Sequence, residues 1–208
     1  MSNVVIEGVG KDAEIVTNEN GGKQSKTPMA LHLVDPNFLK AWAQGQIDRL
    51  CRIAEDMEVI PRDLIGKSEC YSAILLIATF MIEGDCARLK HAMVRIENDS
   101  VKMLTRIAKV LQEGAEKYEP NNWRLIPQES HINHALIHLV AHLMGDTQDD
   151  HLDHALCRLM MAICTDKSSG FDYNKYVSQT GRIVEVPSAS PDYQPIMQCT
   201  GTFCDNIK

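Results

Sequence analysis

Apolar residues recur three and four positions apart through the middle of this chain, and that spacing predicts helices. Phe38, Leu39, Trp42, Ile47, Leu50, Ile53 and Ala54 trace one stripe. Asp35 can cap it and Pro36 can open its first turn, so a helix to about Asp56 is expected. Pro61 breaks the pattern. Ser68 to Glu83 is almost wholly apolar from Ala73 to Ile82, which reads as a buried helix, with a strand as the alternative given its Ile and Thr content. Leu89, Met93 and Ile96 mark a third helix within Asp85 to Asn98. Val101, Leu104, Ile107, Ala108 and Leu111 mark a fourth, capped by Ser100 and interrupted by Gly114 and the polar residues from Pro120 to Asn122. Ser130 is placed to cap a fifth, from His131 to about Met144, which Gly145 stops. The acidic turn Asp146 to Asp150 then leads into a helix ending near Ile163.

Short links between such helices predict an all-α bundle. Residues 1 to about 36 are polar and glycine-rich, and NENGGKQSKTP (Asn18 to Pro28) reads as a loop. Beyond Gly170, prolines at 187, 191 and 195 suggest an extended tail that could wrap the bundle or a partner subunit. The expected organisation is one helical domain over 1–170, with the polar loop at 18–28, followed by a tail over 171–208.

Composition narrows the class. At 208 residues and 44% hydrophobic, the chain can bury a sizeable core. A formal net charge of -7 argues against a nonspecific nucleic-acid coat, so no stable nucleic-acid partner is expected. No run approaches the ~18 consecutive apolar residues of a membrane span. The opening MSNVVIEGVGKDAE does not read as a secretion signal. The 7 cysteines include no CxxC pair and are widely spaced, which suggests reduced thiols and a cytoplasmic setting. Cys157 and Cys164 fall in an apolar run and are expected in the core. Cys199 and Cys204 leave a tail clip open.

Histidine density carries the chemistry. Of 8 histidines, all but His32 and His91 lie between 131 and 154. His134, His138 and His142 are spaced by four and share a helical face; His151 and His154 are three apart on the next helix. Asp146, Asp149, Asp150 and Asp153 crowd the turn between. Two antiparallel helices could set His134 or His138 opposite Asp150, His151 or His154, a plausible divalent-metal site. For any single histidine, an interhelical hydrogen bond is the plainer role, and acids before a helix also stabilise its N-terminus. The whole cluster argues for a metal or a catalytic role, because burying so many imidazoles costs solvation.

The segment EGAEKYEPNNWR, Glu113 to Arg124, adds a second set. Glu113 and Glu116 can share a face. Lys117 and Arg124 suit a polyphosphate. Tyr118 and Trp123 offer flat surfaces to a base, although aromatics more often pack. Asn121 and Asn122 can read base edges. Lys23, Ser25 and Lys26 of the polar loop could hold phosphates. No Walker loop and no Gly-x-Gly-x-x-Gly motif after a strand is present.

These stretches, GGKQSKTP, GAEKYEPNNWR and HINHALIHLVAHLMGDTQDDHLDHALCRLMMAI, resemble the phage and bacterial dATP/dGTP diphosphohydrolases, which are distantly similar to the all-helical MazG-like pyrophosphohydrolases. The resemblance covers residues 101 to 164, the expected catalytic helices, plus the loop at 18–28. Residues 37–100 read as inserted helices outside it. It implies metal-dependent hydrolysis of a deoxynucleoside triphosphate to monophosphate and pyrophosphate, and a homo-oligomer. His138 matches the family's helical histidine, His151 and His154 its His-x-x-His pair. Lys117, Tyr118, Asn122, Trp123 and Arg124 match its Lys-Tyr and Asn-Trp-Arg elements. Histidines stand where MazG-like enzymes carry several acids of Glu-x-x-Glu and Glu-x-x-Asp.

The expected mechanism is attack of water at the α-phosphorus. Glu113, His138, Asp150 and His154 are the catalytic candidates, and Glu113, Glu116, His138, Asp150, His151 and His154 the metal candidates. Mg or Mn is the expected ion, with Zn, Co, Ni or Fe compatible with the imidazoles. Lys117 and Arg124 would neutralise phosphoryl charge, and Trp123 or Tyr118 would stack the base. Two alternatives stay open: another metal nucleotide phosphohydrolase, although no His-Asp dipeptide occurs, and a helical protein that binds or sequesters a nucleotide without turnover.

Overall fold

The computed structural model describes residues 13–55 and 57–165. In chain order they form β1 (Ile15–Thr17), β2 (Lys23–Ser25), α1 (Pro36–Glu55), α2 (Arg62–Glu83), α3 (Ala87–Ile96), α4 (Ser100–Tyr118), α5 (Gln128–Leu143) and α6 (His151–Cys164). Short 3-10 turns occupy Leu31–Leu33 and Asn122–Leu125. The all-α architecture expected from the apolar spacing is what the chain adopts. The tail beyond 170, with Cys199 and Cys204, lies outside the described residues.

Local signals set the helix ends, with four differences from the sequence reading. Asp35 caps α1, accepting from the N–H groups of Asn37 and Phe38 at 2.8 and 3.0 Å. α2 starts at Arg62, directly after extended Pro61, and not at Ser68. Its first turn, Arg62 to Ile65, is helical, and Asp63 pairs with Lys67 at 2.9 Å. Asp99, not Ser100, caps α4, accepting from Val101 and Lys102. α4 then runs through Gly114 to Tyr118: an isolated helical glycine costs only ~1 kcal/mol relative to alanine, which packing of the rest offsets. α5 begins after Pro127, so Ser130 sits inside the helix and does not cap it. Gly145 stops α5's run as expected, at φ +81.

The polar loop is more ordered than its composition suggests. Its second half pairs with the preceding residues as an antiparallel hairpin, with Ile15 opposite Ser25 and Thr17 opposite Lys23. Asn18 builds the turn, its side-chain oxygen accepting from the N–H groups of Asn20 and Gly22.

One core joins α1 to α6. Ile74 and Ile77 of α2, Leu89 of α3, Leu136 and Leu139 of α5, and Leu156 and Leu159 of α6 belong to the same buried cluster. The helices of 37–100 therefore share their core with the helices of 101–164. By length and composition α2 alone among the described helices could cross a membrane. Here Ala73, Ile74, Ile77 and Ala78 are fully buried in the protein core. A helix apolar on all sides is what such a central position needs. Cys157 is buried as expected, whereas Cys164 is exposed at the end of α6.

Candidate active site

α5 and α6 face each other with two matched stripes. On α5, His131, His134 and His138 stand three and four residues apart; on α6, His151, His154 and Arg158 do the same, so each trio shares a helical face. The stripes meet in antiparallel order. His131 Nδ1 lies 3.3 Å from Arg158 Nη1 at one end. At the other end His138 Nδ1 is 3.1 Å from His151 Nδ1. The His138 ring also stacks on His154, with centroids 4.9 Å apart. His142, a further turn along, leaves this face. It is half-buried, and burial, foremost, holds its pKa below the usual histidine value.

Asp149, in the turn before α6, completes the cluster. Its Oδ1 is 3.1 Å from His154 Nε2. Burial alone would raise this carboxyl. The hydrogen bond from His154 and the nearby histidine charges outweigh burial and bring it to about 2. His138 is pushed well below the usual histidine range by burial, with His154, Arg158 and His151 adding to it. His134 moves the same way for the same leading reason. Asp149 is therefore ionised and His138 neutral near pH 7, the forms in which both can ligate a cation.

His138, Asp149 and His151 bring one ligand atom each within 4.8 Å of one another. Two buried nitrogens of the cluster, His134 Nε2 and His151 Nε2, have no hydrogen-bond partner among the described residues. His151 Nε2 does stand 3.5 Å from Asp146 Oδ1, long for a hydrogen bond. Buried polar atoms left without partners are uncommon, and a ligand or an ion is one remedy. This donor set fits a divalent metal.

Beside the cluster opens a cavity of about 650 Å³. His134, His138, Asp149, His154 and Arg158 line its inner side; α4 from Val110 onward, the link after it and Lys23 to Pro28 line the rest. That volume lies within the ~300–1,000 Å³ of small-molecule sites.

Twelve of the sequence-predicted site residues meet here: Lys23, Ser25, Lys26, Glu113, Glu116, Lys117, Tyr118, Asn121, Asn122, Trp123, His138 and His154 all line the cavity. The others do not. His151 is buried behind His138, within the ligating group. Arg124 stacks its guanidinium 4.3 Å over the Trp123 ring. Asp149, and not Asp150, faces the histidines. Asp150 is exposed and holds Lys109 at 2.7 Å on the outer side of α4. Both acids precede the first residue of α6, so the four-residue spacing from Asp150 to His154 does not put them on one helical face. Glu113 and Glu116 are exposed, and stand outside the His138–Asp149–His151 group.

Two residues expected to touch a base hold the hairpin instead. The Asn122 side chain accepts from the Lys23 N–H at 2.8 Å and donates to the Lys23 carbonyl. The Tyr118 hydroxyl is 2.7 Å from Ser25 Oγ. Asn18 adds a bond to the Leu125 carbonyl at 2.8 Å. The link they grip is unusual: Glu119 and Asn121 both take positive φ, 79 and 63, on either side of Pro120. The hairpin is thus fastened across the end of α4 and forms one cavity wall.

Residues 85–172 match the family described as dATP/dGTP diphosphohydrolase, N-terminal. Over this stretch the chain is similar to that family. The matched residues run from α3 through α6 and include every cluster residue named above; the hairpin, α1 and α2 precede them. No curated protein matches the chain, and no solved structure does.

Proposed function

We propose that this protein hydrolyses a deoxynucleoside triphosphate, dATP or dGTP, to the monophosphate and pyrophosphate, with a divalent cation held by His138, Asp149 and His151. The observation that carries this reading is the His138–Asp149–His151 group, of which His138 and Asp149 line, with His154, a cavity that Lys23, Lys26, Lys117 and Trp123 also line. Two imidazoles and one carboxylate favour Mn, Fe, Co, Ni or Zn over Mg. Such an ion, when bound, polarises phosphate oxygens and acidifies water.

The chain's own groups do the rest. Asp149 holds His154 through Nε2 and fixes its ring, which leaves Nδ1 to take a proton from the attacking water. The new bond forms between that water oxygen and the α-phosphorus; the bond to the bridging oxygen breaks and pyrophosphate leaves. Lys23, Lys26 and Lys117 on the facing walls lower the cost of the triphosphate charge. Arg124 covers one face of Trp123, and a base stacks on the other. With Asn122 engaged by the hairpin, Asn121 is the amide left to meet the base edge. The reading includes a homo-oligomer.

Product analysis by phosphorus NMR, with dATP and dGTP plus Mn or Mg, tests this. Pyrophosphate and monophosphate are expected, with Mn the better ion. Release of inorganic triphosphate would assign another reaction. Thermal protection by dATP without turnover would make the protein a nucleotide binder.

A further inference from the structure

Among the described residues Arg158 is a cation without an anion. It lies in the middle of α6, mostly buried, on the inner wall of the cavity. Among the described residues no carboxylate comes within ion-pair distance of it. The other cations near the cavity differ: Lys23 is 3.8 Å from Glu119 and Lys26 is 2.9 Å from Glu14, both exposed, while Arg124 caps Trp123. A guanidinium taken from water without an opposite charge is costly, so such groups are found paired.

The one side-chain hydrogen bond Arg158 makes among the described residues is of a kind that fixes its position without neutralising it. His131 Nε2 lies 3.1 Å from the Trp123 carbonyl, which can only accept, so Nε2 carries the ring proton. Nδ1 is then a lone pair, and Arg158 Nη1 donates to it at 3.3 Å. Burial, and next the Arg158 charge, push His131 down to about 3, so the ring is neutral at working pH and this tautomer stands. One of the five guanidinium N–H groups is used. The planar fork keeps donors for a ligand, and a tetrahedral phosphate accepts two of them side by side. The surrounding histidines add no compensating negative charge.

We propose that Arg158 is the phosphate-anchoring residue of the cavity, held in place by His131 and completed by a phosphate group of the ligand. The proposal rests on the nucleotide reading above for the identity of the ligand, but the anion site itself does not. It assigns the polyphosphate to the inner side, beside His154, and the base to the Trp123 side.

The test compares full-length wild type, R158K and R158Q in titrations with dATP, inorganic tripolyphosphate and deoxyadenosine, followed by calorimetry. R158Q is expected to lose tenfold or more in affinity for dATP and for tripolyphosphate and to keep its affinity for deoxyadenosine. R158K should recover part of the loss, since it restores charge but not the fork. Labelling of the wild type with phenylglyoxal, mapped by mass spectrometry, needs no variant and covers the case that R158Q does not fold. Tripolyphosphate should protect Arg158 and leave exposed Arg49 and Arg52 labelled. Unchanged tripolyphosphate affinity in folded R158Q, or labelling of Arg158 that tripolyphosphate does not slow, overturns the proposal. A wild type that binds tripolyphosphate through Arg158 yet neither binds nor cleaves dATP would instead overturn the nucleotide reading and leave the anion site standing.

Discussion

At the residue scale, two adjacent acids separate cleanly. Asp149 is half-buried against His154, whereas Asp150 is exposed against Lys109. Asp149→Asn keeps the shape but removes the charge that holds the imidazole and, on the proposed reading, a cation ligand. Its kcat is expected to fall by about 10²–10⁴, the usual worth of a positioned acid–base pair. Asp150→Asn loses only a surface ion pair, worth about 0–1 kcal/mol, and should stay within about threefold of wild type. Steady-state rates of pyrophosphate release check both; equal losses in the two variants would return the role to Asp150. The sequence could not make this choice, because helical spacing says nothing about residues in the turn that precedes a helix. Arg158 was more accessible: it follows His154 by four, on the same face. Its lack of a carboxylate partner among the described residues is visible only once the neighbours are in place.

At the scale of elements, the hairpin on the end of α4 depends on close backbone approach at Gly22. A Cβ there would meet the Leu125 carbonyl carbon and oxygen at 2.9 Å, and backbone cannot swing aside as a side-chain tip can. Gly22→Ala should therefore push the hairpin off the 3-10 turn. The expected cost is roughly 1–3 kcal/mol, as for other forced overpacking. Hydrogen exchange should rise over β1 and β2 while α5 and α6 stay protected, and KM should rise more than kcat falls. Exchange that rises equally in α5 would show the hairpin to be part of the core. The core itself answers to a different substitution. Leu156 is fully buried between α6 and its neighbours, so Leu156→Ala should lower unfolding free energy by about 2–5 kcal/mol in urea titrations. The helices were legible from their apolar spacing, since burial of a stripe selects the period. Their first turns were less so: Arg62 and Gln128, both polar, begin helices directly behind a proline.

At the scale of the whole molecule, the buried histidines couple folding to pH. His131 is held down to about 3, and His134 and His138 are also lowered, chiefly by burial. Unfolded, each takes a proton near pH ~6.5. Below that value the unfolded chain binds protons that the folded one refuses, so stability present above about 6.5 is lost as pH falls, for His131 over the window down to about 3. Asp149 adds to the loss at the acid end, as pH falls below the ordinary carboxylate range toward about 2. The urea midpoint should therefore drop between pH 7 and 5, before carboxylates titrate. A midpoint flat over that interval would contradict neutral burial. Saturating Mn should raise the midpoint near neutral pH and lose that effect in acid, as protons displace it from the donors. For assembly, Val101 and Leu104 of α4 are 70% and 68% exposed. Light scattering is expected to give a mass above the 23.3 kDa of one chain.

The sequence by itself determined the helical class, the histidine-rich pair of helices and twelve of the residues that line the cavity. Period, turn residues and residue chemistry are local properties, written in short stretches of chain. Only the tertiary structure decided which acid faces the imidazoles, that Asn122 and Tyr118 fasten a hairpin, and that a mid-helix arginine has no carboxylate beside it among the described residues. Those are relations between segments distant in the chain. They depend on the direction in which a turn leaves its helix and on what burial removes from water.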